Sequence, residues 1–410
     1  MEYGLIGERL GHSFSKEIHE MLGRYKYELK EIPRDEVDAF LRKKDFRGIN
    51  VTIPYKETVI PYLDSIDPAA EAIGAVNCIV NNEGKLYGYN TDFYGMKTLI
   101  ERQGIDVRGK KVLILGTGGT SRTAKAVAES LGALKVYRVS RHPDEDEISY
   151  EEACMIHDDA ALIINTTPVG MYPKNDAQPI ELASFSGLEA VVDAIYNPLR
   201  TKLVLEAKSL GIKATGGLYM LVMQAVRAAE FFTGENVDIS VGDKIYKKIL
   251  SSKKNIVLTG MPGAGKSTVG KIIAKALDIP FYDTDALIVE REKREISKIF
   301  ETDGEAYFRE VEAKIVKETS GRIPAVISTG GGAILRDDST ESLMSNGEVF
   351  FLNREPETIT PTDDRPLADS KDKVIALYQK RLPIYRRHCD EEINVEGSPE
   401  EVAEAILKKL

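Results

Sequence analysis

The sequence has little of several features that mark particular classes of protein. It has no tryptophan, and its three cysteines, Cys78, Cys154 and Cys389, lie far apart without the spacing of metal ligands. We therefore expect reduced cysteines that pack as apolar side chains, as is usual in the cytoplasm. No apolar run approaches the roughly 20 residues that cross a bilayer, and the first residues lack the apolar stretch of a signal peptide. These absences predict a cytoplasmic protein without a membrane partner.

Charge and length exclude further classes. The formal net charge is −10, from 65 acidic and 55 basic residues, so a nucleic-acid partner is not expected. Hydrophobic residues make up 42% of the chain and charged residues 29%, which is typical of a soluble globular protein. A chain of 410 residues is too long for one ordinary core, so we expect two or three domains.

The most explicit motif that is present is KKNIVLTGMPGAGKSTVGK, which starts at Lys253. The apolar run 255–259 predicts a buried strand and 268–277 has helical spacing, so the glycines fall in a strand-to-helix turn. There, backbone N–H groups can surround phosphate oxygens, Lys266 can reach the terminal phosphates and the Ser267 hydroxyl can bind Mg²⁺. A purely structural glycine turn would need neither side chain. The motif therefore predicts a site for a nucleoside triphosphate.

Upstream of this loop, strand-like runs alternate with helical runs, which predicts a parallel sheet flanked by helices. The polar stretch SSKKN separates the two parts, and we place a linker at residues 251–254. One strand-like run opens KKVLILGTGGTSRTAKAVAESLG, where Gly116, Gly118 and Gly119 fit the turn of a dinucleotide site. Ser121 replaces the third glycine of that fingerprint, so an empty structural turn remains an alternative.

The strand after this turn bears on the choice of dinucleotide. An NAD site usually has an acidic residue there for the ribose 2′-hydroxyl, whereas YRVSRHPD has Ser140 and Arg141, which suit a 2′-phosphate. The sequence therefore favours NADP over NAD. The alternative is that Arg141 is a solvated loop cation.

Polar residues in the first hundred positions follow one another at the ends of apolar strands, where ligands bind in open α/β sheets. Several have a structural alternative. One of Ser13 and Ser15 could cap the helix that follows, and Thr91 or Asp92 could do the same further on. Lys56 could be a surface lysine in the first turn of a helix. The other polar positions of this set are Asn50, Thr52, Asn77 and Asn90.

Residues 1 to about 250 resemble shikimate dehydrogenase, through HSFS, NVTIPYKE, GAVN, YNTD, GTGGTSR, NTTPVGM, YNP and GLYMLVMQA in the family's order. The resemblance implies reduction of 3-dehydroshikimate to shikimate with NADPH, with Lys56 and Asp92 as the catalytic pair. An ammonium beside the ketone can stabilise and protonate the alkoxide that hydride transfer creates, and a carboxylate can hold that ammonium in place. The implied substrate contacts are Ser13, Ser15, Thr52, Lys56, Asn77, Asp92, Tyr196 and Gln224. The implied cofactor contacts are Gly116, Thr117, Gly118, Gly119, Thr120, Ser140, Arg141 and Gly217.

From Asn255 onward the chain resembles shikimate kinase, through the phosphate loop, PFYDTD, DGEAYFREVE, STGGGAIL, DDRPLAD and KRLPIYRR. In PFYDTD, strand alternation would put Asp283 and Asp285 on one face, unless they are only solvated acids at a strand end. The resemblance implies Ser267 and Asp283 at Mg²⁺, and Lys266, Asp285 and Arg365 as catalytic residues. The implied shikimate contacts are Asp285, Arg309, Gly331 and Arg381. The implied ATP contacts are Gly263, Ala264, Gly265, Lys266, Ser267, Thr268 and Arg365.

The fold that the two resemblances imply is α/β throughout. A discontinuous α/β substrate domain would take residues 1–93 and 216–250, and a Rossmann-like NADP domain residues 94–215. After the linker, a P-loop kinase domain with a parallel sheet would take residues 255–410. Such a protein would be a bifunctional enzyme of aromatic amino-acid biosynthesis that uses NADP(H), ATP and Mg²⁺, with its oligomeric state left open.

Two other functions fit the same motifs less well. Both folds could serve a metabolite sensor or repressor that has lost catalysis, but the chemical residues, among them Lys56, Asp92, Lys266 and Asp285, are all present. The dehydrogenase could also oxidise quinate or another hydroxylated cyclohexene carboxylate. A kinase on the same chain argues against that substrate, because it implies biosynthetic flow.

Overall fold

The computed structural model describes residues 1–11, 13–360 and 370–410. It divides into two compact units, Met1–Ile249 and Leu250–Leu410. A helix at Ile239–Ser252 runs through this division, and a strand begins at Asn255. The expected linker 251–254 is therefore partly helical, because the helix that buries Ile245 and Ile249 continues through its last turn into the two serines.

The first sheet of the first unit has six strands and mixes parallel and antiparallel pairs. Its strands are β1 (Tyr3–Gly7), β2 (Glu28–Glu31), β3 (Gly48–Val51), β4 (Ser65–Ile66), β5 (Cys78–Asn82) and β6 (Lys85–Tyr89). They lie in the order β2-β1-β3-β5-β6-β4, with β3 parallel to β1 and antiparallel to β5. Asn77 thus precedes a strand instead of ending one, and the antiparallel pairing brings it to the edge where β3 ends.

The second sheet has six parallel strands. They are β7 (Lys111–Leu115), β8 (Lys135–Ser140), β9 (Glu147–Ser149), β10 (Leu162–Asn165), β11 (Ala190–Asp193) and β12 (Lys213–Thr215). The order β12-β11-β10-β7-β8-β9 is that of dinucleotide-binding sheets, with the switch point between β7 and β10. The expected Rossmann-like sheet is therefore confirmed.

Helices of the first unit cover and join these sheets. They are α1 (Ser15–Leu22), α2 (Val37–Lys43), α3 (Pro68–Ile73), α4 (Thr91–Arg102), α5 (Gly119–Ser130), α6 (Tyr150–Ile156), α7 (Lys202–Ser209), α8 (Leu218–Thr233) and α9 (Ile239–Ser252). The α4 and α8 helices pack closely, since a Cβ on Gly95 would lie 2.5 Å from the Met220 carbonyl oxygen. The domain boundary expected at 93/94 falls inside α4. The helix expected around Lys56 is instead a series of turns before a short 3-10 turn at Ile60–Tyr62.

The second unit is built on a five-stranded parallel sheet. Its strands are β13 (Asn255–Thr259), β14 (Phe281–Asp283), β15 (Val326–Ser328), β16 (Gly347–Asn353) and β17 (Glu391–Asn394), in the order β14-β15-β13-β16-β17. Its helices are α10 (Lys266–Leu277), α11 (Thr284–Glu292), α12 (Ile296–Thr302), α13 (Gly304–Ser320), α14 (Asp337–Asn346), α15 (Lys371–Arg387) and α16 (Pro399–Leu407). Because α11 begins at Thr284, Asp285 is helical, and the expectation that strand alternation pairs it with Asp283 was wrong.

The helices and the cysteines bear on the expectations drawn from composition. Throughout the described ranges, no helix combines the length and apolar character needed to cross a bilayer. All three cysteines are free, and Cys78 is buried between apolar side chains.

Candidate active sites

A cleft of about 520 Å³ in the first unit is lined by segments from both of its sheets. All eight side chains expected at the dehydrogenase substrate line this cleft. They are Ser13, Ser15, Thr52, Lys56, Asn77, Asp92, Tyr196 and Gln224. Gly217 and Thr120, expected at the cofactor, line it as well.

A lysine–carboxylate pair lies in this cleft. Lys56 Nζ donates to Asp92 Oδ2 at 2.6 Å, and the two side chains are only 14% and 9% exposed. Asn90 caps α4, since its side-chain oxygen accepts the Phe93 N–H at 3.1 Å. The expectation that Thr91 or Asp92 could cap this helix was therefore wrong, and the carboxylate is left to pair with the lysine. Lys56 is not a surface lysine.

Hydrogen bonds between three buried polar side chains, Asn77, Thr91 and Gln224, connect the cleft to α8. Asn77 Oδ1 accepts the Thr91 N–H at 2.7 Å, and Asn77 Nδ2 donates to Thr91 Oγ1 at 3.1 Å. The Thr91 hydroxyl in turn donates to Gln224 Oε1 at 3.3 Å. Because Gln224 comes from α8, these bonds hold residues from distant parts of the chain at one edge of the cleft.

The two serines and Tyr196 form another part of the lining. Ser13 Oγ accepts the N–H of Ser15, the first residue of α1, at 3.2 Å. The N-cap position itself belongs to Phe14, which makes no side-chain capping bond, so neither serine is the cap. Tyr196 hydrogen bonds to Ser13, and burial raises the pKa of the Tyr196 phenol. Its hydroxyl therefore stays protonated and can donate to a ligand.

A buried polar chain below the cleft was not foreseen as a whole. The Tyr27 hydroxyl donates to Asn50 Oδ1 at 2.7 Å, and Asn50 Nδ2 donates to the Asn77 carbonyl at 3.2 Å. His19 stacks on Tyr27 with ring centroids 3.9 Å apart and shares a hydrogen bond of 2.7 Å with the Tyr25 hydroxyl. Burial lowers the pKa of His19 to about 3. Asn50 was noticed in the sequence, but nothing there linked it to residues so far along the chain.

The turn after β7 fits the pyrophosphate of a dinucleotide. Gly118 is the N-cap of α5 and brings no side-chain acceptor, so the first amides of the helix are left for an anion. A Cβ on Gly118 would meet nothing within 4 Å, which leaves open space in front of these amides. Gly116 has φ 104°, a conformation that favours glycine, and its Cβ would lie 2.9 Å from Thr166 Oγ1. Thr117 lies in the same turn, and Gly119 and Thr120 begin α5.

An exposed arginine lies at the far end of the candidate dinucleotide site. Arg141 follows β8 and is exposed, whereas the Ser140 hydroxyl accepts the His142 N–H at 3.2 Å and donates to the His142 carbonyl at 3.0 Å. The nearby acid Glu147 is paired with Arg138 at 3.3 Å. Arg141 thus extends from the strand end where a ribose phosphate would lie.

A buried carboxylate, Asp193, orders the loops beside the switch point, and sequence reasoning missed it. It accepts hydrogen bonds from Asn165 Nδ2 at 3.1 Å, Ile195 N–H at 3.0 Å and the Thr201 hydroxyl at 2.7 Å. Burial raises the pKa of Asp193 to about 6 although these three donors oppose the shift. Asn165 Oδ1 also accepts the Thr167 hydroxyl at 2.7 Å. The network therefore fixes the loop that brings Thr167 into the cleft.

In the second unit, the phosphate loop has the expected conformation. Gly263 and Gly265 have φ of 84° and 96°, and Gly265 is the N-cap of α10. Lys266 Nζ donates to the carbonyls of Gly260 and Met261, both at 3.0 Å, so the ammonium is held within the loop. Ala264 is buried in the loop, and Thr268 lies in the first turn of α10. The amides at the N-terminus of α10, beside a fixed ammonium, suit the phosphates of ATP.

Oxygen atoms suited to Mg²⁺ lie next to this loop. The Ser267 hydroxyl donates to Asp283 Oδ2 at 2.5 Å and lies 3.3 Å from Ser328 Oγ. Asp283 Oδ1 accepts the N–H groups of Asp285 and Ala286, so this carboxylate also caps α11. Within the described ranges, no cluster of three or more His, Cys, Asp or Glu side chains could hold a metal. The oxygens of Ser267 and Asp283 nevertheless suit Mg²⁺, because this ion usually binds one or two protein oxygens together with phosphates and water.

The triple glycine at 330–332 contacts Asp285 and two arginines. A Cβ on Gly330 would lie 2.5 Å from Asp285 Oδ1, and a Cβ on Gly332 would collide with the Arg309 guanidinium. Arg381, only 4% exposed, donates to the Gly331 carbonyl at 3.0 Å. These glycines therefore let the backbone approach the charged side chains. The predicted residues of the acceptor site, Asp285, Arg309, Gly331 and Arg381, are brought together, whereas Arg365 lies outside the described residues.

Glu312 is a further acid in this site that sequence reasoning missed. It is 1% exposed, and its Oε2 accepts Arg309 Nη1 at 2.7 Å. Its other oxygen has no hydrogen-bond partner in the described part of the chain, and a Cβ on Gly330 would lie 2.8 Å from it. Burial raises the pKa of Glu312, and burial together with Asp283 raises that of Asp285 to about 6. The only signal in the sequence was the helical spacing of Glu312 from Arg309.

Comparison with known proteins finds similarity in both parts of the chain. The family model for the shikimate dehydrogenase substrate binding domain matches residues 5–79, and the shikimate kinase model matches residues 262–410. Shikimate dehydrogenase (NADP(+)) of Clostridium perfringens strain SM101 is 40% identical over 265 residues, covering 60% of this chain and 97% of that protein.

Solved structures extend the likeness to the fold. The crystal structure of shikimate dehydrogenase 1 from Peptoclostridium difficile superposes with a TM-score of 0.57 at 38% identity, covering 61% of this chain and 98% of that one. Shikimate 5-dehydrogenase from Thermus thermophilus, in complex with NADP(H) and shikimate, gives a TM-score of 0.55 at 31% identity, with coverages of 60% and 99%. The chain therefore belongs to the shikimate dehydrogenase family and also carries a shikimate kinase domain at residues 262–410.

Proposed function

We propose that this chain catalyses two consecutive reactions: NADPH-dependent reduction of 3-dehydroshikimate to shikimate, then ATP-dependent phosphorylation of shikimate to shikimate 3-phosphate. The observation that carries the first step is the Lys56–Asp92 pair in a cleft lined by hydroxyl and amide side chains. The second step is supported by the phosphate loop beside Asp285, Arg309 and Arg381. The free cysteines support a reducing, cytoplasmic setting.

In the first reaction NADPH supplies the hydride. The side chains of the cleft bind the substrate, stabilise the charge on the ketone oxygen and protonate it. Lys56 stabilises the negative charge that develops on the ketone oxygen and delivers a proton to it. Asp92 holds the ammonium at 2.6 Å and can accept a hydrogen bond from a neighbouring ring hydroxyl. Because both side chains are largely shielded from water, their electrostatic effect on the oxygen is stronger than it would be at the surface.

The remaining lining recognises a polyhydroxylated ring with a carboxylate. Hydroxyls of Ser13, Ser15 and Tyr196 can donate to the carboxylate, since each carries one O–H. Amide groups of Asn77 and Gln224 are pre-oriented by their buried bonds through Thr91 and can bind ring hydroxyls. An arrangement fixed before binding loses little entropy when the substrate arrives.

In the second reaction ATP supplies the phosphoryl group and Mg²⁺ neutralises part of its charge. Lys266 and the amides at the start of α10 hold the phosphates, and Ser267 and Asp283 hold the metal. Asp285 orients the attacking hydroxyl, while Arg309 and Arg381 pair with the acceptor's carboxylate. Phosphoryl transfer depends mainly on positioning and charge neutralisation, which is what these groups provide.

Single lysine variants of the full chain test the two assignments separately. Lys56→Met should lower the rate of reduction roughly 10²- to 10⁴-fold and leave phosphorylation of added shikimate unchanged. Lys266→Met should lower the rate of phosphorylation and leave the reduction of 3-dehydroshikimate unchanged. Lys85→Met and Lys275→Met, which change exposed lysines of the two units, serve as matched controls. Loss of both activities in either test variant, with normal thermal unfolding, would contradict the assignment of one reaction to each unit.

A further inference from the structure

The catalytic lysine has a second partner from the cofactor half of the first unit. Besides its bond to Asp92, Lys56 Nζ donates to Thr120 Oγ1 at 3.4 Å. An ammonium carries three N–H donors, so these two acceptors leave one for a substrate oxygen. Lys56, Asp92 and Thr120 all line the same cleft.

Thr120 is also part of the dinucleotide turn. It is the second residue of α5, so its backbone N–H is one of the helix amides without an intrahelical acceptor. The lysine stem packs on the same turn, because a Cβ on Gly119 would lie 3.6 Å from Lys56 Cδ. Thr120 therefore presents its backbone to the cofactor site and its hydroxyl to the catalytic ammonium.

The helix that carries Thr120 is anchored to the substrate segments by further bonds. Asn90 Nδ2 donates to Thr123 Oγ1 at 3.2 Å. Arg122 donates to the Gly74 carbonyl at 3.3 Å and forms an ion pair of 3.2 Å with Glu57. These contacts fix the start of α5 beside Lys56, so the Thr120 hydroxyl has a defined position there.

We propose that Thr120 is a positioning residue for the reduction, whose hydroxyl holds the Lys56 ammonium between the cofactor helix and Asp92. The inference rests on the proposed dehydrogenase function. On this inference, the position of the proton donor, Lys56, depends on α5, the helix at the cofactor site. A residue with this role should affect the chemical step more than the affinity for either ligand.

Thr120→Val tests the hydroxyl, because valine keeps the shape of threonine without the acceptor. At 3.4 Å, the bond from Lys56 to Thr120 lies at the weak end of hydrogen bonds to charged groups. We therefore expect its loss to lower kcat for shikimate oxidation about tenfold. Thr120→Ser keeps the hydroxyl and should stay within about threefold of wild type. Thr98→Val is the matched control, since the Thr98 hydroxyl donates to the Tyr94 carbonyl of its own helix at 2.6 Å.

Binding and isotope measurements separate positioning from a general structural effect. Calorimetry should give wild-type affinities of Thr120→Val for NADP⁺ and shikimate, and its thermal unfolding should be unchanged. With shikimate deuterated at the carbinol carbon that is oxidised, the isotope effect on kcat should increase, because a misplaced lysine slows the chemical step. Phosphorylation of added shikimate by the same chain provides the internal measure of enzyme concentration.

Contrary results for Thr120 can be told apart from failure of the proposed function. A Thr120→Val enzyme with wild-type kcat would overturn the inference and leave the proposed function intact. So would a Thr120→Ser enzyme as slow as Thr120→Val, or a weakened affinity for NADP⁺ at unchanged kcat. A wild-type chain that does not oxidise shikimate with NADP⁺ would overturn the proposed function, and this inference with it.

Discussion

Acid should destabilise the dehydrogenase unit through one buried side chain, His19. Its ring is fully buried, stacked on Tyr27, and its pKa is lowered to about 3 from an ordinary 6.5. As pH falls from 6.5 towards 3, the unfolded chain takes up a proton on this ring and the folded chain does not. The free energy of unfolding therefore decreases over that interval, and stability is fully present only above pH 6.5.

The size of the effect follows from the pKa difference. At 1.36 kcal/mol per pH unit, the whole interval corresponds to about 5 kcal/mol, and the part between pH 7 and pH 4 to about 3 kcal/mol. Small proteins have a total stability of roughly 5–15 kcal/mol, so this loss is large. His19→Phe keeps an aromatic ring on Tyr27 and cannot titrate. Its loss of stability between pH 7 and pH 4 should therefore be smaller than that of wild type by about 3 kcal/mol.

Urea unfolding of the full chain at the two pH values, followed by pulsed hydrogen exchange and mass spectrometry, measures this difference. Peptides from Met1–Ile249 report the dehydrogenase unit separately from the kinase unit. His142→Gln, which removes an exposed histidine of the same unit, is the matched control. If wild type and His19→Phe lost stability in parallel, His19 would not be the acid-sensitive group.

Four other predictions concern the two sites. Asp92→Asn removes the ionic partner of Lys56, so kcat for reduction should fall roughly 10²-fold, and a loss below threefold in steady-state assays would contradict the pairing. Asp193 has a raised pKa, so its contribution to stability is present below pH 3.8 and lost as pH rises through about 6. Asp193→Asn should therefore gain up to about 3 kcal/mol on wild type over that interval, and urea titrations that run parallel would refute this. Glu312→Gln weakens the support of Arg309, so the KM for shikimate in phosphorylation should rise about tenfold at unchanged KM for ATP, and an unchanged shikimate KM would exclude that role. Chelation of Mg²⁺ should abolish phosphorylation and spare reduction, and equal inhibition of both would argue against a metal confined to the kinase site.

Local chemistry made much of this protein predictable from its sequence. The phosphate loop, the strand at Asn255–Thr259 and the alternating elements of the dinucleotide sheet depend on short-range patterns, and they are found as expected. The polar residues expected at the substrate converge in one cleft, although they come from loops of both sheets and from helices α1, α4 and α8. What they do in catalysis stays a prediction.

Capping and long-range contacts explain where sequence reasoning failed. Asn90 rather than Asp92 caps α4, and Asp283 caps α11, so the strand ends before it reaches Asp285. The buried groups His19 and Asp193 depend on burial and on partners from other elements of the fold, which neither periodicity nor spacing reveals. Helical spacing pairs Glu312 with Arg309, but it does not reveal that Glu312 is buried.

The most direct test of the central claim is a mass-spectrometric assay of the purified full chain with 3-dehydroshikimate, NADPH, ATP and Mg²⁺. We predict that shikimate 3-phosphate forms and that its formation requires both nucleotides. Shikimate that accumulates without its phosphate, or no consumption of 3-dehydroshikimate at all, would contradict the account of two consecutive reactions on one chain.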